Sequence, residues 1–444
     1  MSEQQQPISG LWVVPNLGDN PVPGTLTLGE SIELTVYGPS AAEPPTTHVQ
    51  QHLYDPLPIV TNTPVGRGVT LLDGYLAEYQ NNRAVFIFER VLLGARADVP
   101  DDLQTLGMYL HFDALTRWVG RRTIQSQPDE GGGYLTKYEE PELIKATVLG
   151  GQVSLGSQLL RSIRFSSFSF EHRETFWVEP SEPLSLEDLW SKFLRPLRYF
   201  VALATGQLPE VSTVEVVVKA TSPNRIPVRV IGPRLPSALA TTPSSIDYAF
   251  QFGEVDLTVL MPRWFEVVAQ YDAVCDLLFN GDTPDAGYLT NRFFSVASAA
   301  EAAHRKLMPG LDEATAEDKA RVKRVVAATK SGDDMHDGDV EWVQKALAYA
   351  HQPSFARRLD GLLAHVGVAA AQVVTGGDST KWLEDVKETR NRIAHSRSTA
   401  DLDSAKLARL FFSLDLLLRL ILLSELGFGE SELCSVADRD RRLW

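Results

Sequence analysis

Residues 387–396 read KETRNRIAHS. The stretch closes one amphipathic segment, 379–395, and a second, 403–426, begins just after Asp401. Both carry apolar residues at 3.6-residue spacing, which predicts one helix ending directly before another. The residue types at the junction suit a phosphodiester. The Arg390 guanidinium is always charged and offers a fork of donors to phosphate oxygens. Histidine is the side chain suited to moving a proton to or from a hydroxyl near neutral pH, and His395 supplies one. Together they are sufficient to cleave RNA without metal: a base takes the 2′-hydroxyl proton, the oxygen attacks the adjacent phosphorus, and the guanidinium stabilises the developing charge. On an ideal helix five residues turn the chain by about 140° and advance it by about 7.5 Å, so Arg390 and His395 do not face one point. Asn391 and His395, four apart, do. Either the helix loosens before Ser396, or Arg390 serves a site completed by a second copy across a two-fold axis. Spacing alone also allows a structural reading, in which Arg390 pairs with Glu388 or Glu384 and His395 satisfies helix-end carbonyls.

Working outward, everything from Arg263 onward has helical character. Candidate helices are 263–280, 287–306, 315–330, 339–350, 354–366, 379–395 and 403–426, separated by punctuation such as Pro309-Gly310 and Gly376-Gly377-Asp378. Before residue 260 the chain reads as strands and turns. Leu26, Leu28, Ile32, Leu34 and Val36 alternate with polar residues, 84–93 (AVFIFERVLL) and 106–112 (LGMYLHF) are short apolar runs, and GGG at 131–133 is a turn. Further strands are expected at Leu143–Val148, Ser162–Phe170, Val214–Ala220, Val228–Ile231 and Gln251–Leu260, with a long loop over 38–68. Leu184–Leu203 is the one helix in this half, capped by Ser185 and kinked by Pro196. The expected class is α+β: a β-rich N-terminal region of sandwich-like strands plus a helix, then an all-α bundle. The expected divisions are 1–140, 141–260 and 261–444.

Composition narrows function. The chain has 444 residues, 42 Lys plus Arg against 57 Asp plus Glu, and a net charge of -15. That excludes a uniformly basic nucleic-acid coat and a polybasic membrane binder, though not a local basic site. The start, MSEQQQPISG, is not a signal peptide. The most apolar segment, Leu410–Leu423, is interrupted by Ser413, Asp415 and Arg419, so it reads as a buried helix and not a membrane span. Cys275 and Cys434 are the only cysteines and form no CxxC, so neither a disulfide framework nor a zinc-thiolate site is expected. A cytoplasmic protein with two buried thiols is the simple reading. No P-loop, dinucleotide fingerprint or GxSxG elbow is present. DDMHDGD (333–339) fails as a calcium loop at Met335 and Gln344, and is read as a turn with Asp339 as N-cap of the next helix. No metal and no cofactor is expected.

RNRIAH, Arg390 to His395, resembles the R-N-x-x-x-H motif of HEPN (higher eukaryotes and prokaryotes nucleotide-binding) ribonucleases. SFARRLDGLL (354–363) and SAAEAAHRKL (298–307) resemble the preceding helices of the ApeA-type HEPN domain. ISGLWVVPN (8–16), PGTLTLGESIELTVYG (23–38), GRGVTLLDG (66–74) and WSKFLRPLRYFVALATGQ (190–207) are similar to the N-terminal part of that family. The resemblance implies a bacterial antiphage, abortive-infection endoribonuclease. Its HEPN homodimer, or higher homo-oligomer, would carry a composite site. Its products would be a 2′,3′-cyclic phosphate and a 5′-hydroxyl, and it would be restrained until the N-terminal region senses a phage-encoded trigger. By the same resemblance Arg390 orients the phosphate, Asn391 is the polar residue beside it, and His395 transfers the proton. RNA is the implied substrate, transfer RNA among the candidates, and no membrane partner is implied. Lys387, Arg392 and Arg397 flank the motif as substrate-contact candidates. The alternative is a non-catalytic ligand- or protein-binding module whose degenerate HEPN domain only dimerises.

Two further features stand out. Lys319, Arg321, Lys323, Arg324 and Lys330 put five cations in 319–330, either a track for RNA backbone or a solvated helix face balanced by nearby acids. Glu301, His304 and Arg305 share a helical face, where Glu301 can pair with Arg305 and buttress the motif helix.

Overall fold

In a computed structural model of the chain, the described residues are 7–17, 20–37, 57–62, 68–80, 83–128, 134–164, 167–221, 226–232, 248–279, 288–331, 336–395 and 403–440. The chain forms two compact units: Met1–Thr205, Pro209–Ser245 and Gln251–Phe265 make the first; Gly206–Leu208, Ile246–Phe250 and Glu266–Trp444 make the second.

The first unit is built on six antiparallel strands that close on themselves: β1 (Ile8–Val13), β2 (Val22–Leu28), β3 (Ile32–Tyr37), β4 (Leu57–Asn62), β5 (Val69–Gln80) and β6 (Arg83–Leu93). They run in the order β6-β3-β2-β1-β4-β5, and β5 returns to pair with β6. The alternation expected over 26–36 is a hairpin with Leu26 opposite Leu34, and its inward set, Val22, Leu26, Ile32, Leu34 and Val36, packs with Trp12, Phe86 and Phe88. The long loop expected over 38–68 is corrected by β4, whose LPIVTN run is held between β1 and β5. Gly74 of β5 lies opposite Phe88, and a Cβ there would collide with the Phe88 ring. Gly74→Val should therefore cost about 3 kcal/mol by overpacking. A urea midpoint equal to wild type would show that the ring has room to swing aside.

From β6 the same sheet continues through β7 (Thr105–His111), β10 (Ile144–Val148), β11 (Gly151–Arg164), β12 (Ser167–Pro180), β13 (Thr213–Val218) and β14 (Val228–Ile231), while β8 (Ile124–Pro128) and β9 (Tyr134–Tyr138) pair separately. The sandwich-like strands thus belong to one continuous twelve-stranded sheet, with strands from both sides of residue 140. The single strand expected at 162–170 is instead the tip of a hairpin between two 14-residue strands, β11 and β12. The turn expected at GGG 131–133 lies outside the described residues.

Helix α1 (Asp113–Val119) follows β7. Ser185 caps α2 (Leu186–Leu189), its hydroxyl accepting the Asp188 N–H at 3.1 Å. Pro196 does its work through a π-turn over 190–194, which precedes α3 (Arg195–Thr205). Widening that turn removes the need for an N–H that proline lacks. The strand expected at 251–260 is corrected: Asp256 caps a helix, α4 (Leu257–Gln270), by accepting the Thr258 N–H at 2.9 Å. Alternating apolar residues there mimicked a strand, and a side-chain cap won.

The helical elements continue as α5 (Asp272–Phe279), α6 (Leu289–Leu307), α7 (Ala316–Lys330), α8 (Asp337–Leu347), α9 (Phe355–Val366), α10 (Val368–Thr375), α11 (Ser379–Ala394), α12 (Ser404–Glu425) and α13 (Glu430–Arg439). The expected helix 263–280 is thus two, broken at Tyr271, and α10 and α13 are additional. Asp339 is not the N-cap of α8. It is the third residue inside, and its carboxylate accepts the N–H of the cap residue His336 at 2.9 Å. Of the two thiols expected to be buried, Cys275 is and Cys434 is half-buried.

α12 is apolar on nearly all sides because it is the central helix of the second unit: Leu414, Leu417, Leu418, Leu420, Ile421 and Leu422 are all fully covered. Its polar interruptions are covered too. Asp415 and Arg419, four residues apart, form an ion pair at 2.8 Å, and the guanidinium lies 5.3 Å from the Phe279 ring centre. Among the described residues no helix is long and apolar enough to cross a membrane. α6 lays Ala297, Ala299, Ala300 and Ala303 into the core of this unit, small residues that permit close helix approach.

Candidate active site

The motif helix α11 is positioned by a cap, a buried stripe and two tethers. Asp378 starts it, its carboxylate accepting the Lys381 N–H at 3.0 Å. Trp382, Val386 and Thr389, at helical spacing, form the buried stripe. Trp382 Nε1 donates to Ser413 Oγ of α12 at 2.8 Å, and that hydroxyl donates onward to the Leu410 carbonyl at 3.0 Å. Lys406 Nζ meets Asp385 Oδ1 at 2.6 Å. These contacts fix the helix in register along α12, so the residues following Thr389 have set directions.

Arg390 is half-buried. Its Nη2 donates to Glu301 Oε1 of α6 at 2.9 Å, and its guanidinium lies 5.5 Å from the Phe355 ring centre of α9. The pairing with Glu384 or Glu388 allowed by spacing is therefore replaced by a partner on another helix. The buttressing role expected of Glu301 is what the geometry shows. Glu301 also meets Arg305 at 3.9 Å, and Arg305 Nε reaches Asp312 Oδ2 at 2.9 Å. Asp312 in turn pairs with Arg358 of α9 at 2.6 Å, and Arg358 Nη1 donates to His304 Nδ1 at 3.2 Å. Arg358 and His304 are both buried. Burial, reinforced by the neighbouring Arg358 charge, pushes the His304 pKa below the ordinary histidine value, as an imidazole accepting from a guanidinium requires. The two Arg donors, Arg358 foremost, hold the Asp312 carboxyl below its ordinary value. Six side chains from three helices and a loop thus form one polar chain that ends at Arg390.

The helix keeps its register through Ala394 and ends at His395, whose φ of −96° and ψ of 16° leave the helical range. The His395 N–H still bonds the Asn391 carbonyl at 3.1 Å. The angular offset expected from spacing therefore persists: Arg390 turns inward onto Glu301, and the His395 side chain is exposed at the helix end. Among the described residues no hydrogen bond joins the two. Asn391 and Arg392 are half-buried and Lys387 is exposed, while Arg397 lies outside the described residues. Phe355, Asp312 and Arg358 were invisible in the sequence as site residues, because their relation to Arg390 exists only once α6, α9 and α11 pack. Among the described residues no group of three or more His, Cys, Asp or Glu side chains converges in the manner of metal ligands.

A half-buried guanidinium on a fixed carboxylate, one turn from an exposed imidazole, can do two things. It can bind a phosphate oxygen with the guanidinium edge not used by Glu301, and it can exchange a proton with a hydroxyl at His395.

Comparison with protein families returned two matches. Residues 7–264 match the model described as ApeA N-terminal domain 1, and residues 294–432 match the model described as Apea-like HEPN. No curated protein and no solved structure matches the chain. Since the N-terminal match alone covers more than half of the chain, and the helical match contains Arg390, Asn391 and His395, this chain belongs to the ApeA-type HEPN family.

Proposed function

We propose that this chain is an endoribonuclease acting in bacterial antiphage defence by abortive infection, with no metal in the chemical step. The observation that supports it most directly is Arg390. A guanidinium held by Glu301 and Phe355 beside an exposed histidine has the chemistry of phosphate recognition next to proton transfer. HEPN domains are generally ribonucleases, which favours the same reading. In this proposal His395 takes the 2′-hydroxyl proton. The 2′-oxygen attacks phosphorus, the bond to the 5′-oxygen breaks, and the departing 5′-oxygen takes up a proton from solvent water. Arg390 stabilises the charge on the phosphoryl oxygens, leaving a 2′,3′-cyclic phosphate and a 5′-hydroxyl. Asn391 positions the phosphate, and Lys387, Arg392 and Arg397 hold neighbouring nucleotides. Because Arg390 and His395 diverge on one helix, the site is completed by a second copy, so that one chain's Arg390 works with its partner's proton-transfer group. The N-terminal unit senses a phage-encoded trigger and restrains cleavage until then, in the cytoplasm.

Purified protein incubated with total cellular RNA in EDTA, with and without phage lysate, is expected to yield fragments ending in cyclic phosphate. RNA left intact in every arm, or cut only when divalent metal is restored, would overturn the proposal. Glu301 should act as a positioning residue. Glu301→Ala is expected to lower kcat/KM for RNA about tenfold, the worth of one charge-assisted hydrogen bond, while Glu301→Gln retains most activity because its amide oxygen still accepts from Arg390. Equal losses in the two variants would show that charge, and not orientation, is what Glu301 supplies.

A further inference from the structure

The helical hairpin formed by α7 and α8 is the least buried part of the second unit. α7 has no buried residue, and α8 has only Val340. Val322, Val326, Val343 and Leu347 are half-buried, and most of the other side chains of the two helices are exposed. Five cations lie on α7 against two acids, in a chain whose net charge is -15. Arg324 is paired with Glu317 at 2.8 Å. Lys319, Arg321, Lys323 and Lys330 are exposed and make no ion pair with the described residues. On the same hairpin two large aromatic side chains are left in solvent: Trp342 of α8 is 71% exposed, and Tyr349, in the turn that follows, is 73% exposed.

We propose that this hairpin is a binding arm for single-stranded RNA. Exposed lysines and an arginine along one helix attract a phosphate backbone, and every base offers a face that can stack on an exposed indole or phenol ring. The combination selects against the other occupants. A contact between protein surfaces is depleted in lysine at its centre, which disfavours a second copy or a protein partner on this face. An A-form duplex keeps its bases stacked on one another, leaving no base face for Trp342 and Tyr349 to take. The arm is also rooted beside the motif. At its base the His351 Nε2 and the Asp312 carbonyl are 3.0 Å apart, and the Asp312 carboxylate leads through Arg305 and Glu301 to Arg390. RNA bound to the arm therefore starts close to the elements that carry Arg390. This inference rests on the nuclease reading and adds to it the form of RNA and the surface that captures it.

The test uses the full chain carrying His395→Ala, so that RNA stays intact, and a short labelled single-stranded RNA followed by fluorescence anisotropy over a salt series. Combining Lys319→Gln, Arg321→Gln and Lys323→Gln should weaken binding about tenfold and reduce the slope of log affinity against log salt by about 2. Trp342→Ala should also weaken binding about tenfold, with the salt slope unchanged, because stacking releases no counterions. Duplex of the same sequence should bind more weakly than the single strand and be insensitive to Trp342→Ala. Unchanged single-strand affinity in both variants overturns the arm. So does a change confined to self-association in sedimentation, which would make this face a contact between copies. The two readings fail separately: wild-type protein that cuts RNA while the arm variants bind normally removes the arm alone. Protein that neither binds nor cuts RNA removes the nuclease reading and the arm together.

Discussion

His395→Ala is expected to reduce RNA cleavage by about 10²–10⁴-fold, the usual contribution of a positioned general acid or base. Its fold should be untouched, because the side chain is exposed at the end of α11 and, among the described residues, its hydrogen bonding is through the backbone N–H, which donates to the Asn391 carbonyl. Arg390→Ala should fall by about 10²–10³-fold, the cost of one donor at developing charge. Arg390→Lys should rescue little: an ammonium cannot hold Glu301 and a phosphate with one planar fork. A Glu301–Arg390 pair that is partly solvated contributes about 1 kcal/mol or less to stability, so the melting temperature of Arg390→Ala should move by only a few degrees. The proposed sharing of the site between two copies can be tested with the same variants. Arg390→Ala and His395→Ala chains, each inactive alone, should regain part of the activity in verified mixed dimers, since one of the two sites then receives both intact groups. Mixed dimers with no activity at all would mean that each chain's Arg390 and His395 serve the same phosphate, and the shared site would be wrong.

The second large effect is structural. Asp415→Ala should destabilise the helical unit by about 3–5 kcal/mol, because it leaves the Arg419 guanidinium charged at 3% exposure in the middle of α12. Replacing both partners, Asp415→Leu with Arg419→Met, should be far milder than the single change, since a buried ion pair loses in desolvation much of what it gains by attraction. Denaturant unfolding followed by far-ultraviolet circular dichroism distinguishes these outcomes. A double variant as damaged as Asp415→Ala would show that the pair is needed for its geometry and not merely to neutralise charge.

These two residues also show how sequence and structure divide the work. In the sequence Asp415 and Arg419 mark the apolar run as something other than a membrane span. Their four-residue spacing shows that they can meet on one helix, but not that both are buried. Similarly, Leu26, Leu34 and Val36 announce strands by alternation, and Ser185 announces a helix start by its hydroxyl. Those signals are local and survive into the fold. The segment 251–260 fails for the same reason in reverse: its alternation is a local pattern that a cap at Asp256 outweighs. Residues 57–62 were hidden because β4 owes its existence to neighbours on both sides, β1 and β5, and not to a strong pattern of its own.

The motif itself was legible by residue type and by its place at a helix end. Arg390, Asn391 and His395 carry their chemistry in their side chains, and the spacing alone implied that Arg390 and His395 diverge. What spacing could not supply was the partner of Arg390. Glu384 and Glu388 were nearer in sequence, yet Glu301 holds the guanidinium from 89 residues away. Helical periodicity states which residues share a face, and only packing of α6, α9 and α11 decides which faces meet. Local residue patterns were enough for the class of the two halves and for the motif. The tertiary structure alone decided the closed path of the strands, the burial of the α12 ion pair and the carboxylate that aims Arg390. Those depend on contacts between residues far apart in the chain, whose free energy comes from burying surface and pairing charge once distant elements have met.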